Sequence, residues 1–119
     1  SMIGKVDAVY IPTDNLLAEA MATVTMVTNA NGLPCIVGEE GMVENGGLAT
    51  YGIDYYVLGQ MAGEMAVQIL QDGADISSMP VQYISASDCT LAVNSDAASE
   101  LGVSLDAVKD EAKDVAAEE

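Results

Sequence analysis

The chain has 119 residues, of which 19 are acidic and three basic; it has no histidine, and its formal net charge is −16. That balance all but excludes nucleic acid and phosphate as ligands, because both are held chiefly through Lys and Arg. Half the residues are hydrophobic, which argues against disorder, and with five Tyr but no Phe or Trp the core must be built from Val, Ile, Leu, Met and Ala.

A chain of this length is one domain or part of a larger one, and it can bury roughly two-thirds of its unfolded surface. The basic residues are Lys5, Lys109 and Lys113, with none between the first two. The acidity reads as solubility and self-repulsion before it reads as a cation site. Cys35 and Cys89 are too few for a disulfide scaffold and lack metal-ligand spacing. Both sit in apolar runs, which suits buried inert thiols and leaves a single bridge open. No apolar run approaches the length of a membrane-spanning helix. There is no signal peptide, but Ser1-Met2 does not read as a natural start, so that absence says little about location.

In chain order, residues 6–11 form a short, nearly continuous apolar run suited to a buried parallel strand, which Pro12 ends because it has no N–H for the ladder. Thr13, Asp14 and Asn15 follow, where a helix begins. Leu16, Leu17, Ala20, Met21, Val24 and Val27 then give helical spacing over residues 15–30, with Asp14 or Asn15 as cap and Gly32 as a left-handed stop. Residues 33–38 read as a second strand, followed by Glu39-Glu40-Gly41 and one helical turn over residues 42–44. Residues 48–53 read as a third strand. Residues 55–72 carry the strongest helix signal, a stripe of Leu58, Met61, Ala62, Met65, Ala66, Ile69 and Leu70 with Asp54 as cap. That stripe reads as core, and Gly59 and Gly63 on one face suggest close approach of another backbone. Val81-Gln82-Tyr83-Ile84 alternates like a strand, and Cys89-Thr90-Leu91-Ala92-Val93 reads as another. A brief helix capped by Asn94 or Ser95 ends near Gly102. From Ser104, Leu105, Val108, Ala112 and Val115 predict a last helix over residues 104–119. Alternating strands and helices argue an α/β fold with a parallel sheet.

The chemistry is limited by what is missing. Without His, no Ser–His or Cys–His nucleophile can be assembled. No Walker or dinucleotide glycine loop is present, and no loop matches the calcium ligand pattern. Asp14, Glu39 and Asp54 could supply paired carboxylates for glycosidase-like work, but sequence gives no distance between them. A phosphoacceptor receiver domain would need a Lys after a late strand, and none is there. No catalytic residue, metal ligand or cofactor is expected. In open α/β sheets ligands bind beyond the carboxyl ends of the strands, which singles out Thr13, Asp14 and Asn15.

Val6-Asp7-Ala8-Val9-Tyr10-Ile11-Pro12-Thr13-Asp14-Asn15, Gly32-Leu33-Pro34, the run from Tyr51-Gly52-Ile53-Asp54-Tyr55-Tyr56 to Gly63, and Leu91-Ala92-Val93-Asn94 occur in that order. Together they resemble the later part of ABC-transporter substrate-binding proteins of the tryptophan/tyrosine type. The resemblance implies a type I periplasmic-binding-protein fold, a three-layer α/β sandwich with a mainly parallel sheet in two lobes that close on a ligand. It also implies that residues 1–119 are the C-terminal portion of such a protein. Carried over by position, Asp14 and Asn15 are the leading ligand contacts, with Thr13 beside them. Glu39 stands where relatives often have Asp, and its extra methylene moves the charge. A carboxylate there can receive the ammonium of an amino acid. Asp54 is a further candidate contact; against these readings, Asp14, Asn15 and Asp54 are also good helix caps, and Glu39 can be a solvated loop acid.

The implied function is that of an extracytoplasmic solute-binding protein, not an enzyme, handing an amino acid to an ABC permease. A free-standing α/β sensory or interaction domain is the second reading, and an enzyme the third. With half of the cleft absent, these residues alone are expected to bind weakly, and topology allows a homodimer.

Overall fold

In the computed structural model, which describes residues 1–117, the first apolar run pairs only from Val9, its fourth residue, onward. Strand β1 is Val9–Ile11, and it begins where Val9 N–H finds the Pro34 carbonyl at 2.9 Å. Strand β2, Cys35–Val37, runs parallel to it, with Val9 opposite Cys35 and Ile11 opposite Val37. Strand β3, Ala49–Gly52, is parallel to β2. Strand β4, Thr90–Val93, is antiparallel to β3, and β5, Lys113–Asp114, is parallel to β4. The sheet order is β1-β2-β3-β4-β5, so a mainly parallel sheet is observed with one antiparallel pair. Among the described residues no helix is long and apolar enough to cross a membrane.

The chain divides into two compact units, Ser1–Gly52 with Thr90–Glu119, and Ile53–Cys89. The first contains the whole sheet. Its core joins Ile11, Cys35 and Val37 from the strands to Met21, Met42 and Val43 from helices, all buried. On the other sheet face the pairs Tyr10–Ile36 and Tyr51–Leu91 stand opposite each other, and Tyr10 and Tyr51 are 67% and 64% exposed.

The expected helix over residues 15–30 is two helices, α1 (Asn15–Glu19) and α2 (Met21–Asn29), separated where Ala20 adopts φ −92° and ψ 0°. The apolar stripe changes character at that break: Leu16 is exposed, whereas Met21 is fully buried. Two of the threonines that weaken α2 by propensity, Thr25 and Thr28, are buried and hydrogen-bonded. The Thr25 hydroxyl is within 3.0 Å of both the Met21 and the Asn45 carbonyl oxygens. Gly32 closes α2 at φ 66°, and Leu33 N–H returns to the Thr28 carbonyl, as a left-handed cap requires. Helix α3, Glu40–Glu44, carries Met42 and Val43 into the core.

Asn94 binds the later elements to the earlier ones. Its Nδ2 donates to the Val43 carbonyl at 2.9 Å, and its Oδ1 accepts from Ala97 N–H at 2.9 Å. It thus caps helix α5, which follows Asn94 as Ser95–Leu101 and precedes Gly102 at φ 68°.

The predicted last helix is not formed. Residues 106–111 make turns, 113–114 pair with β4, and Val115–Ala117 is a single 3-10 turn. Val115 packs against the core and Lys113 Nζ reaches Glu40 Oε1 at 2.7 Å, so tertiary contacts outweigh the helical spacing. Residues 118 and 119 of that expectation lie outside the described residues.

In the second unit, helix α4 spans Tyr55–Leu70, close to the expected bounds. Asp54 Oδ1 accepts from Tyr56 and Val57 N–H at 2.8 and 3.3 Å. The stripe expected as core is not buried: Met61, Met65 and Ile69 are half-buried, and Leu58, Ala62, Ala66 and Leu70 are exposed. A methyl group at Gly59 or Gly63 would meet nothing within 4 Å, so among the described residues no other backbone lies against these glycines, contrary to the expectation from their spacing. Residues 81–84 form no strand; the unit offers one helix and two 3-10 turns, Ile76–Ser78 and Ala86–Asp88, and no strand edge to pair with.

Two measurements test this account. Asn94→Ala removes a cap and strands the buried Val43 carbonyl, and should cost about 2–3 kcal/mol in urea unfolding. Asp114 accepts hydrogen bonds from Ser95 N–H at 3.1 Å and Ala116 N–H at 3.2 Å. Hydrogen bonding from the Ser95 side chain, aided by these N–H groups and opposed by partial desolvation, holds its carboxyl below the ordinary 3.8. A depressed folded value means stability is present above the unfolded value and lost as pH falls through the folded one. Urea midpoints taken from about pH 6 down to about pH 2 should therefore fall less steeply in Asp114→Asn than in the parent.

Candidate functional site

Two βα turns leave the sheet at the carboxyl ends of β1 and β2. In the first, Pro12 stops the ladder and Asp14 takes an extended conformation, φ −146° and ψ 125°, ahead of α1. Its Oδ1 accepts from Leu16 N–H at 2.9 Å and Leu17 N–H at 3.1 Å. These are two of the N–H groups that every helix leaves without an internal partner. Thr13, Asp14 and Asn15 are all exposed.

In the second turn, Gly38 and Glu39 follow β2. Glu39 is extended, φ −157° and ψ 165°, and its Oε2 accepts from Gly41 N–H at 3.0 Å. It caps α3. Asp14, Glu39 and Asp54 therefore share one local role, a carboxylate at a helix N-terminus, where the helix dipole favours negative charge. For Asp14 and Asp54 the sequence offers that role directly. For Glu39 it offers a ligand contact or a solvated acid, because Glu is a less common cap than Asp, Ser or Asn.

The turns touch. A methyl group placed on Gly38 would collide with the Thr13 backbone nitrogen, lie 2.5 Å from Thr13 Oγ1 and 2.9 Å from the Pro12 carbonyl carbon. Thr13, Asp14 and Asn15 are thereby brought to the same end of the sheet as Glu39. Asp54 belongs to the second unit and is described with it. In the sequence Gly38 reads as the end of the second strand; a glycine directly after a short strand, ahead of a capping acid, is the signal that marks such a contact.

The arrangement can do limited chemistry. Carboxylate oxygens with one lone-pair set engaged by backbone N–H groups keep the other for an ammonium or hydroxyl donor. Among the described residues no group of three or more His, Cys, Asp or Glu side chains is placed to hold a metal ion. A separate hollow of about 520 Å³ lies between α2, the end of α3 and α5, with Thr25, Asn29, Asn94 and Glu100 on its walls. None of the candidate residues lines it.

The family model described as ABC transporter substrate binding protein matches residues 1–116. A tyrosine-binding protein of Clostridioides difficile is 47% identical over 81 residues, 68% of this chain and 23% of that protein. Three solved structures are also similar, each over 95% of this chain and 38% of its own. One is an ABC domain from Streptococcus pneumonia in complex with L-Trp, 36% identical with a TM-score of 0.81. Another, at 39% identity and TM-score 0.69, is the ligand-free, open form of a substrate binding protein with adhesive properties from Clostridium difficile. The third, a conserved domain protein of Vibrio cholerae, is 29% identical with a TM-score of 0.81. The chain thus spans well under half the length of these relatives. With the family model covering both βα turns, the whole sheet and α4, this chain belongs to the ABC transporter substrate binding protein family.

Proposed function

We propose that this chain is the C-terminal portion of a solute-binding protein that takes up an amino acid, an aromatic one, and delivers it to an ABC importer. The ligand is bound between two lobes outside the cytoplasm, and no bond is made or broken. The observation that carries this reading is the family match over residues 1–116. It is supported by the tyrosine-binding relative and by the L-Trp complex among the similar structures.

The turns supply a physical basis for one end of such a ligand. The ammonium of an amino acid finds an acceptor in Asp14 Oδ2, whose sister oxygen is occupied by Leu16 and Leu17 N–H. The Asn15 amide can bond either the ammonium or the carboxylate. Glu39 keeps one oxygen beyond the one that caps α3. The ligand carboxylate needs donors, and with no arginine in the sequence these are N–H and hydroxyl groups, including those of the lobe outside this chain. Half a cleft binds weakly, because lobe closure is what removes the ligand from water.

A thermal-shift and calorimetric screen of the twenty amino acids tests the reading, run on these 119 residues and on the protein extended by the rest of its two lobes. Stabilisation of the extended protein by L-Tyr or L-Trp is expected, with affinity weaker than micromolar for the 119 residues alone. A folded, extended protein that responds to no amino acid sinks the proposal. In the extended protein Asn15→Ala should weaken binding about fivefold, one hydrogen bond's worth, with stability changed by under about 0.5 kcal/mol. Asp14→Ala should weaken binding by more, since a charge-assisted bond is lost. It should also cost about 1 kcal/mol of stability through the missing cap, which separates its two roles by calorimetry and urea unfolding.

A further inference from the structure

We propose that Gly38 is the positioning residue of the ligand turn: its bare Cα lets the β1–α1 turn lie against the end of β2 and so fixes where Thr13, Asp14 and Asn15 stand relative to Glu39. The proposal rests on reading that turn as a ligand contact, and its geometry is independent of which amino acid is bound.

β1 and β2 are in parallel register through Ile11 and Val37, so Pro12 and Gly38 are the next residues at the same level. Pro12 has no N–H to continue the ladder. The chain instead crosses toward β2, and Thr13 comes to rest against Gly38. The three nearest atoms to a Cβ there are the Thr13 nitrogen, Thr13 Oγ1 at 2.5 Å and the Pro12 carbonyl carbon at 2.9 Å. Two of them are backbone, so no rotamer change relieves the overlap. Gly38 does not have a positive φ, so the requirement comes from space alone and not from backbone conformation.

The consequence is local. Any side chain at position 38 must push Thr13 away, and with it Asp14, whose carboxylate is tied to Leu16 and Leu17 N–H. The core contacts of β1 and β2 are made by Ile11, Cys35 and Val37, none of which is among the atoms nearest to a Cβ at Gly38. Displacement of a binding group by a fraction of an ångström is enough to loosen a site, so Gly38→Ala moves the turn while the core stays in place.

The test compares the parent with Gly38→Ala and, as a control that destabilises elsewhere, Asn94→Ala. Nitrogen-15 NMR is used for the amides of the 119-residue chain, and L-Trp titration for the extended protein. In Gly38→Ala the amides of Thr13, Asp14, Leu16 and Leu17 should shift, and the Leu16 and Leu17 N–H groups should exchange faster with solvent. Those of Asn45, Gly46 and Ala97 should keep their positions. L-Trp affinity should fall by about tenfold or more, whereas Asn94→Ala should lower the unfolding midpoint and leave affinity unchanged. Parent-like amides in Gly38→Ala, or parent-like affinity with those amides shifted, overturns the proposal. So does a Gly38→Ala chain that fails to fold, which would make the glycine a requirement of the fold and not of the site. A parent that ignores L-Trp counts against the proposed function; the amide pattern and exchange rates then decide whether Gly38 sets the turn.

Discussion

Parallel pairing of β1 with β2 is the constraint on which the rest depends. It is only three residues long, yet it brings the two carboxyl ends level, so that both following helices present their N-termini at one end of the sheet. Ile11, Cys35 and Val37 are thereby set on a single face, where Met21, Met42 and Val43 can close over them. Because a register slip of one residue would exchange the two faces, this short pairing also decides that Tyr10 and Ile36 point away from that core. The antiparallel β4 then returns the chain so that Asn94 reaches the Val43 carbonyl, tying the last third of the sequence to the first.

The charge is placed to suit the helices. Asp14, Glu39 and Asp54 each sit at the start of a helix and accept its free N–H groups, so part of the acidic excess stands where the backbone dipole offsets it. None of the α-helices carries a basic residue in its last turn. Their carbonyl ends are met by backbone turns, as at Gly32 and Gly102, and by the Asn31 and Asn45 amides, which donate to the Val27 and Gly41 carbonyls. The Glu40–Lys113 pair is more than one-third exposed on both sides, and such a pair contributes under about 1 kcal/mol. Its importance is topological, in joining the start of α3 to the edge strand β5.

Much of this was legible in the sequence, for reasons that differ by element. The strands at residues 9–11, 35–37, 49–52 and 90–93 fall inside the predicted runs because apolar β-branched residues are bracketed by Pro, Gly and Asn. The bounds of α4 and α5 follow from Asp54, Asn94 and Gly102, whose capping chemistry is local. What was not legible depends on distant partners. The spacing of Leu105, Val108, Ala112 and Val115 is helical, but Val115 gains more from the core and residues 113–114 from β4. Residues 81–84 alternate like a strand and have no edge to join. The break at Ala20 leaves no mark in composition. Of the candidate site residues, Asp14 and Asp54 show themselves as caps by residue type, whereas Glu39 is an uncommon cap by type and the steric role of Gly38 appears only once the two turns meet.

The burial of Cys35 has a use of its own. Its Sγ is enclosed in the core, 3.2 Å from Thr28 Oγ1, while Cys89 is half-buried. A small thiol-modifying reagent therefore encounters two populations in the native protein, one that reacts directly and one that reacts only when the layer between sheet and helices opens. The slow phase of labelling is a clock for that opening, already present on the strand that leads into the second of the two turns.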